Sequence, residues 1–279
     1  MMWLAYPIKE QIQITDMYSL FEVHYDNGYA FPGESHNFWE CVYMIKGEAC
    51  VSGNERVYNL AQGSIIFHKP LELHKFIVNG KDGADMLIFS FAAEGPLTSY
   101  LEEKVFTLSD FQKSILDSLL QFIRKQTKPT ADSEGLHCSC LEPFHTIPTY
   151  SQMLSTYLQQ LMLSLAETGT ISSASSAPDA VTFRQAISYL NSNIHRQPSV
   201  PELARFCNVS ESGLKRIFDK YAGISIHKYL LKMKVKPAAE LLQQGESVSC
   251  VAEKLGFNSQ SYFSRAFRRE TGVMPSSLK

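Results

Sequence analysis

At 279 residues the chain is long enough for about two domains, each with its own core. Its composition is that of an ordinary soluble protein, at 44% hydrophobic, 19% charged and 11% aromatic, and no run approaches the ~18 apolar residues of a membrane span. The net charge of −2 hides an asymmetry: residues 181–279 hold 15 Lys and Arg against 7 Asp and Glu, leaving 11 against 21 in residues 1–180. A basic module joined to an acidic one fits a polyanion-binding domain beside a domain with another task. The start, MMWLAYPIKEQ, lacks the pattern of a secretory signal, so a cytoplasmic protein is expected. The six cysteines are scattered and read as reduced and structural.

Residues from about 18 to 93 read as β. FEVHY (21–25), ECVYMI (40–45), EACVSG (48–53), SIIFH (64–68) and DMLIFSF (85–91) are rich in β-branched and aromatic residues and are separated by turn residues at even spacing. That spacing predicts an antiparallel sandwich or barrel. After Pro96 the period changes. FQKSILDSLLQFIRK (111–125) predicts a helix. So, more strongly, does the stripe Tyr150, Met153, Leu154, Tyr157, Leu158, Leu161, Met162 and Leu165. Such a stripe must be buried, either in the subunit or, as the favoured expectation, against a second copy of the chain. The polar segment between the two helices carries His137, Cys138, Cys140 and His145. It reads as an exposed loop, with Zn²⁺ binding or a redox switch as the rival reading. GTISSASSAPDA (169–180) reads as an interdomain linker.

Beyond Val181 the pattern is helical and repeats. SVPELARFCNVSESGLKRIFDKYAG (199–223) matches SVSCVAEKLGFNSQSYFSRAFRRETG (247–272). Ala204 pairs with Ala252 at a shift of 48, and Arg216, Phe218 and Gly223 pair with Arg265, Phe267 and Gly272 at a shift of 49. Each copy predicts helix, tight turn, helix. In the first, Ser199 and Glu202 form a capping box and Ser210 caps the second helix. In the second, Ser247 and Asn258 are the expected caps. Leu214, Ile217 and Phe218, and then Tyr262, Phe263 and Phe267, point inward. A helix of this size fits the DNA major groove, where Arg pairs with guanine, and two joined units can enter successive grooves. The connector SIHKYLLKMKVKPAAELLQQG (225–245) contains Pro237, which predicts a bend at residues 233–237.

Residues 184–276 resemble the DNA-binding domain of the AraC/XylS family of bacterial regulators. VAEKLGFNSQSYFSRAFRRETGVMPSSL (251–278) is the most specific stretch. The resemblance implies base-edge contacts for Ser212, Lys215 and Arg216 in the first unit, and for Gln260, Ser261, Ser264 and Arg265 in the second. It implies phosphate contacts for Lys220, Lys254, Arg268 and Arg269. Arg216 and Arg265 are the residues on which most rests.

HNFWECVYMIKGEACVSG (36–53), YNLAQGSIIFHKPLELH (58–74) and MLIFSF (86–91) resemble the cupin-like sensor domain of the same family. The candidate ligand contacts are His24, Tyr29, Phe31, His36, Trp39, Glu40, His68 and His74, a set suited to a sugar or another polar metabolite. In metal cupins His-x-His, a Glu and a later His hold the ion. Here His36, Glu40 and His74 fall at ligand positions, but Phe38 stands where the second His would be. The favoured expectation is a pocket without metal or cofactor.

The expected architecture is thus α+β and multidomain. A cupin-like antiparallel barrel or jelly roll (1–96) is followed by a helical dimerisation or packing segment (97–168), a linker (169–180) and an all-α domain with two helix-turn-helix units (181–279). The family resemblance implies a non-enzymatic, ligand-responsive regulator of double-stranded promoter DNA, acting as a homodimer, with a small-molecule effector and RNA polymerase as partners and none in a membrane. A metal-binding cupin sensor or enzyme fused to a DNA-binding module is the alternative, and a regulator that responds to no ligand is a further rival.

Overall fold

A computed structural model describes residues 5–278 apart from 55, 127–140, 142, 169 and 173. The N-terminal half is built on β1 (Gln13–Tyr25), β2 (Trp39–Gly53), β3 (Arg56–Ala61), β4 (Ser64–His68), β5 (His74–Val78) and β6 (Ala84–Glu94). All pairings are antiparallel, and the main sheet runs β1-β6-β2-β4 and onward to two short strands, β7 (Val105–Thr107) and β8 (Thr170–Ser172). The barrel is not closed. The runs 40–45 and 48–53 are a single strand, and β2 passes from one sheet to the other. Its first half pairs with β6 and β4, its second half with β3 and β5.

The change of sheet needs an irregularity, and β2 has one. Its register on β6 shifts between Met44 and Lys46, and Gly47 follows at φ +83°. A Cβ there would lie 2.3 Å from Gly83 O, so only glycine fits. One extra residue also inverts the alternation of faces. Val42 and Met44 point into the space between the sheets before the shift, and Ala49 and Val51 after it. They meet Ile66, Phe76, Val78, Met86 and Ile88 there.

The opposite face, with Trp39, Cys41, Phe67, Leu87, Phe89 and Phe91, is covered by helices. The chain order there is α1 (Leu97–Leu101), α2 (Asp110–Gln126), α3 (Pro143–Thr146) and α4 (Tyr150–Thr168). Tyr150, Leu154, Leu158, Leu161, Met162 and Leu165 of α4 are fully buried in that core. The stripe is therefore consumed inside the subunit, because the sheet's outer face needs a cover; Met153, Leu163 and Phe111 remain exposed. The segment read as a linker is also partly structured: β8 extends the sheet and Ser175 N donates to Val57 O at 2.6 Å. His137, Cys138 and Cys140 lie outside the described residues.

The C-terminal half holds α5 (Pro178–Ser192), α6 (Val200–Phe206), α7 (Glu211–Ala222), α8 (Ile226–Met233), α9 (Val235–Gln243), α10 (Val248–Lys254) and α11 (Gln260–Thr271). It has two cores. One joins α5 to α8 around Phe183, Leu203, Leu214 and Phe218; the other joins α9 to α11 around Leu242, Val251, Phe263 and Phe267. The two turns close in the same way, although the second is one residue longer. Asn208 and Gly256 both adopt positive φ, and Val209 N→Ala204 O and Phe257 N→Ala252 O close the two turns at 3.0 and 2.8 Å. The Ser199–Glu202 capping box, and the Ser210 and Ser247 caps, are formed. The cap of α11 is Ser259 and not Asn258. Asn258 is the extra residue of the second turn, so the role falls to the true counterpart of Ser210.

The connector breaks at Lys234, inside the interval that Pro237 predicts. Proline thereby sits in the first turn of α9, where its missing N–H has no partner to lose. Lys234 is 1% exposed, and its ammonium donates to Leu255 O at 2.6 Å and Arg196 O at 3.1 Å. It ties the first unit to the second. Among the described residues no helix is long and apolar enough to cross a membrane.

Lys234→Ala leaves both carbonyls without that donor and is expected to lower unfolding stability by about 1–3 kcal/mol, measured by urea denaturation. Burial pushes the Lys234 pKa down to about 8 from 10.5. Between those values the unfolded chain binds the proton and the folded chain does not, so this group's contribution rises with pH. The stability of the wild type relative to Lys234→Met should increase from pH 8 to pH 10; a flat difference contradicts this.

Candidate nucleic-acid interface and sensor cluster

Helices α7 and α11 each bury one face and expose the other. Leu214, Ile217, Phe218 and Tyr221 are buried on α7; Phe263, Ala266 and Phe267 on α11. Ser212, Lys215 and Arg216 are exposed on the first helix, and Gln260, Ser261, Arg265, Arg268 and Arg269 on the second, with Ser264 half-buried. Tyr262, expected in the core, is only half-buried. The expected cations fall into two groups. Lys215, Arg216, Arg265 and Arg268 make no ion pair among the described residues. Lys220 pairs with Asp179 at 3.2 Å, Lys254 with Glu246 at 2.5 Å and Arg269 with Glu270 at 2.9 Å. Lys220 sits in the last turn of α7, beside α5.

The β half gathers a second cluster. Glu40, His68, His74 and Ser90 occupy the inward phase of β2, β4, β5 and β6 at one end of the space between the sheets, where Ser90 Oγ donates to Glu40 at 3.3 Å. His36 and Glu34, on the segment before β2, complete it. His74 Nε2 lies 3.3 Å from Glu40 and 3.8 Å from Glu34; His36 Nε2 lies 3.6 Å from Glu40 and 4.0 Å from Glu34. His68 stacks on His74 with centroids 4.5 Å apart and faces Glu72 at 3.6 Å. Burial alone would lower the pKa of His74, but the carboxylates of Glu34 and Glu40 outweigh it and raise it to about 10. Burial would raise that of Glu40; His36 and His74 hold it well below the ordinary carboxylate range. The site is a well for positive charge.

Four of the eight candidate ligand residues meet here: His36, Glu40, His68 and His74. The other four do not. Trp39 precedes Glu40, so strand alternation turns it to the helix-covered face, where it is 5% exposed and stacks with Phe91. His24 binds Asp85 at 2.6 Å, on the stretch of β1 paired with the start of β6. Tyr29 stacks on Tyr25 and Phe31 on Phe76. Sequence reasoning missed Glu34 and Glu72. The Glu34-x-His36 spacing, which puts two side chains on one side of an extended chain, was the available signal for the first.

A family model described as a helix-turn-helix domain matches residues 203–279, and one described as an AraC-like ligand binding domain matches residues 19–107, together more than half of the chain. The chain belongs to the AraC family of transcription regulators. It is 25% identical over 275 residues to the HTH-type transcriptional regulator YfiF of Bacillus subtilis, covering 91% of this chain and 82% of that one. It is 25% identical over 250 residues to YidL of Escherichia coli, covering 87% and 75%. With the HTH-type transcriptional activator RhaR of Mannheimia succiniciproducens it shares 23% over 257 residues, covering 89% and 87%. It is thus a DNA-binding regulator that also carries a ligand-binding domain.

In this AraC-type regulator the two halves are joined by main-chain contacts. Lys75 Nζ donates to Asp219 O at 2.6 Å, Ser52 Oγ donates to Tyr221 O, and Tyr229 OH donates to Asn54 O at 2.7 Å. Gly223, at φ +68°, closes α7 so near the β half that a Cβ would lie 2.1 Å from Pro32 O. Gly272 closes α11 at φ +79° with nothing within 4 Å. The two glycines make a matched pair. Gly272→Ala should cost only the left-handed penalty, about 1–2 kcal/mol. Gly223→Ala incurs that and also pushes against backbone of the other half. It should unfold at a clearly lower temperature than Gly272→Ala, and equal melting temperatures would show that the seam does not hold α7.

Proposed function

We propose that the regulator reads promoter DNA with the exposed faces of α7 and α11, set in successive major grooves. The observation that carries this reading is the set of cations that make no ion pair among the described residues, Lys215 and Arg216 on one helix and Arg265 and Arg268 on its duplicate. Arg216 and Arg265 are equivalent by the repeat and are the base-reading pair; Ser212, Gln260, Ser261 and Ser264 flank them. Arg268 is the phosphate contact, with Lys254 and Arg269 available once their surface pairs exchange for phosphate, since such pairs are worth little. The protein acts by binding in the cytoplasm and not by turnover.

The effector is a small polar molecule such as a sugar. A cavity of about 470 Å³ between the halves is lined by Lys69, Glu72, Tyr229, Lys232, Lys236 and Glu240. Its size suits a metabolite, and its donors and acceptors suit hydroxyl groups. An occupant touches both halves and so biases their packing. A second copy of the chain would dock through the apolar residues left exposed on α2 and α4, Phe111, Met153 and Leu163, and RNA polymerase is the partner in activation.

Arg216→Ala and Arg265→Ala should each weaken specific promoter binding about 5- to 150-fold, from ~1–3 kcal/mol per bidentate contact, and relax preference at one base pair each. Arg268→Ala should weaken binding to all sequences and flatten the salt dependence. Fluorescence anisotropy on promoter and scrambled duplexes measures both; unchanged affinity in the double Arg216→Ala/Arg265→Ala variant refutes the reading.

A further inference from the structure

The Glu34, His36, Glu40 and His74 side chains offer ligand atoms that all lie within 4.8 Å of one another. Their ring nitrogens are set by second bonds. His36 Nδ1 faces Phe38 O at 2.9 Å and His74 Nδ1 faces Glu72 O at 3.1 Å. A carbonyl only accepts, so each Nδ1 carries a hydrogen, and Nε2 is the ring atom left to bind an ion. Both Nε2 atoms are buried and make no hydrogen bond, although His74 is only 2% exposed. Two buried polar atoms without partners, aimed at the same carboxylates, need an occupant.

An ion placed between the rings and the carboxylates would take the place of a proton on His74 Nε2. A metal ion fits the spacing. Donors ~2.1 Å from a central ion in tetrahedral array stand about 3.4 Å from one another. The four nitrogen–oxygen separations here run from 3.3 to 4.0 Å. Glu34 Oε1 faces both rings, while the two oxygens of Glu40 divide between them. Ser90 and the backbone carbonyls of Phe38 and Glu72 hold the ligands from behind. Two imidazoles and two carboxylates select a borderline divalent ion over Ca²⁺ or Mg²⁺.

The position of the cluster gives an ion leverage. Glu34 and His74 bond each other's backbone in both directions at 3.0 Å. The segment that carries Glu34 and His36 begins at Pro32 and Gly33, against the end of α7: a Cβ on Gly33 would stand 3.2 Å from Ala222 O. Lys75, next to His74, donates to Asp219 O of that helix. We propose that Glu34, His36, Glu40 and His74 bind one divalent transition-metal ion of the Zn²⁺ class, and that the ion sets the seat of the first DNA-reading helix. The second half of this proposal rests on the DNA-reading assignment above.

The test uses the full chain, stripped with chelator and titrated with Zn²⁺ and Co²⁺. One ion per chain is expected by elemental analysis after dialysis, with a rise in melting temperature on the order of 5 °C. Binding should be lost in Glu34→Gln/Glu40→Gln, which keeps side-chain size, and in His36→Ala, while His24→Ala retains it. The Co²⁺ form should show weak visible bands without thiolate charge transfer, and Cys138→Ser/Cys140→Ser should leave it unchanged. Promoter affinity should differ at least fivefold between stripped and loaded protein, with no difference in Glu34→Gln/Glu40→Gln. No bound ion, or an ion lost only with the cysteines, overturns the site. An ion that leaves promoter affinity unchanged overturns its control of α7. The stripped protein is assayed on DNA in parallel, so specific binding there keeps the DNA-reading assignment standing if the metal site fails.

Discussion

Two main-chain carbonyls in the last turn of α7 accept hydrogen bonds from the β half, and that constraint ties the first DNA-binding unit to the ligand-binding half. A helix ends with carbonyls that have no partner within it, and they concentrate partial negative charge. Here Lys75 brings a cation to Asp219 O and Ser52 brings a hydroxyl to Tyr221 O. The β half therefore supplies part of the C-terminal cap of the helix that exposes Arg216. Closeness is enforced as well as bonded, since Pro32 O occupies the space a side chain at position 223 would need.

The duplicated units thus differ in their surroundings more than in themselves. Their serine N-caps and glycine C-caps match, and their turns differ by one residue. Yet α7 ends against the β half, while α11 ends at Gly272 with open space around it. A change at the sensor reaches the first unit directly. The second unit meets the β half through Leu71, which packs on its core, and the first unit through the break between α8 and α9, where Lys234 spans the two cores. Burying one lysine without an acidic partner is costly, and its two carbonyl acceptors are what make the position tenable. A proline in the first turn of α9 keeps the two helices from fusing.

Features that depend on neighbours along the chain are legible in the amino-acid order alone. The capping box at Ser199, the repeat, the positions of Arg216 and Arg265 and the break ahead of Pro237 are all local. So is the period of α4, although its burial partner is not: the stripe says that a face must be covered, and only the fold says that the sheet does it. Where sequence and fold disagree, the causes are of the same kind. Trp39 cannot share a pocket with Glu40, because neighbours on a strand face opposite ways. Asn258 cannot cap α11, because the shift of 49 makes it the extra residue of the turn. Residues 169–180 read as a linker because a three-residue edge strand such as β8 leaves almost no pattern. Ser52 and Lys75 act across the chain and have no local signal, and Lys220 pairs with Asp179, 41 residues away.

The seam also limits how strong a signal can be. Among the described residues its polar bonds include Lys75 to Asp219 O, Ser52 to Tyr221 O and Tyr229 to Asn54 O. A neutral hydrogen bond contributes roughly 0.5–1.5 kcal/mol net and one to a charged group about 1.5–3. The apolar contribution is small too: among the described residues, Val57 and Leu73 are the fully buried β-half side chains in the core of the first unit. Rearranging part of such a seam changes free energy by a few kcal/mol. That is the scale of ordinary allosteric coupling, about 1–3 kcal/mol or 5- to 150-fold in affinity. A larger, greasier interface would fix the halves in one arrangement, and a bare tether would transmit nothing. A polar seam of this kind is one that a ligand of modest differential affinity would suffice to shift.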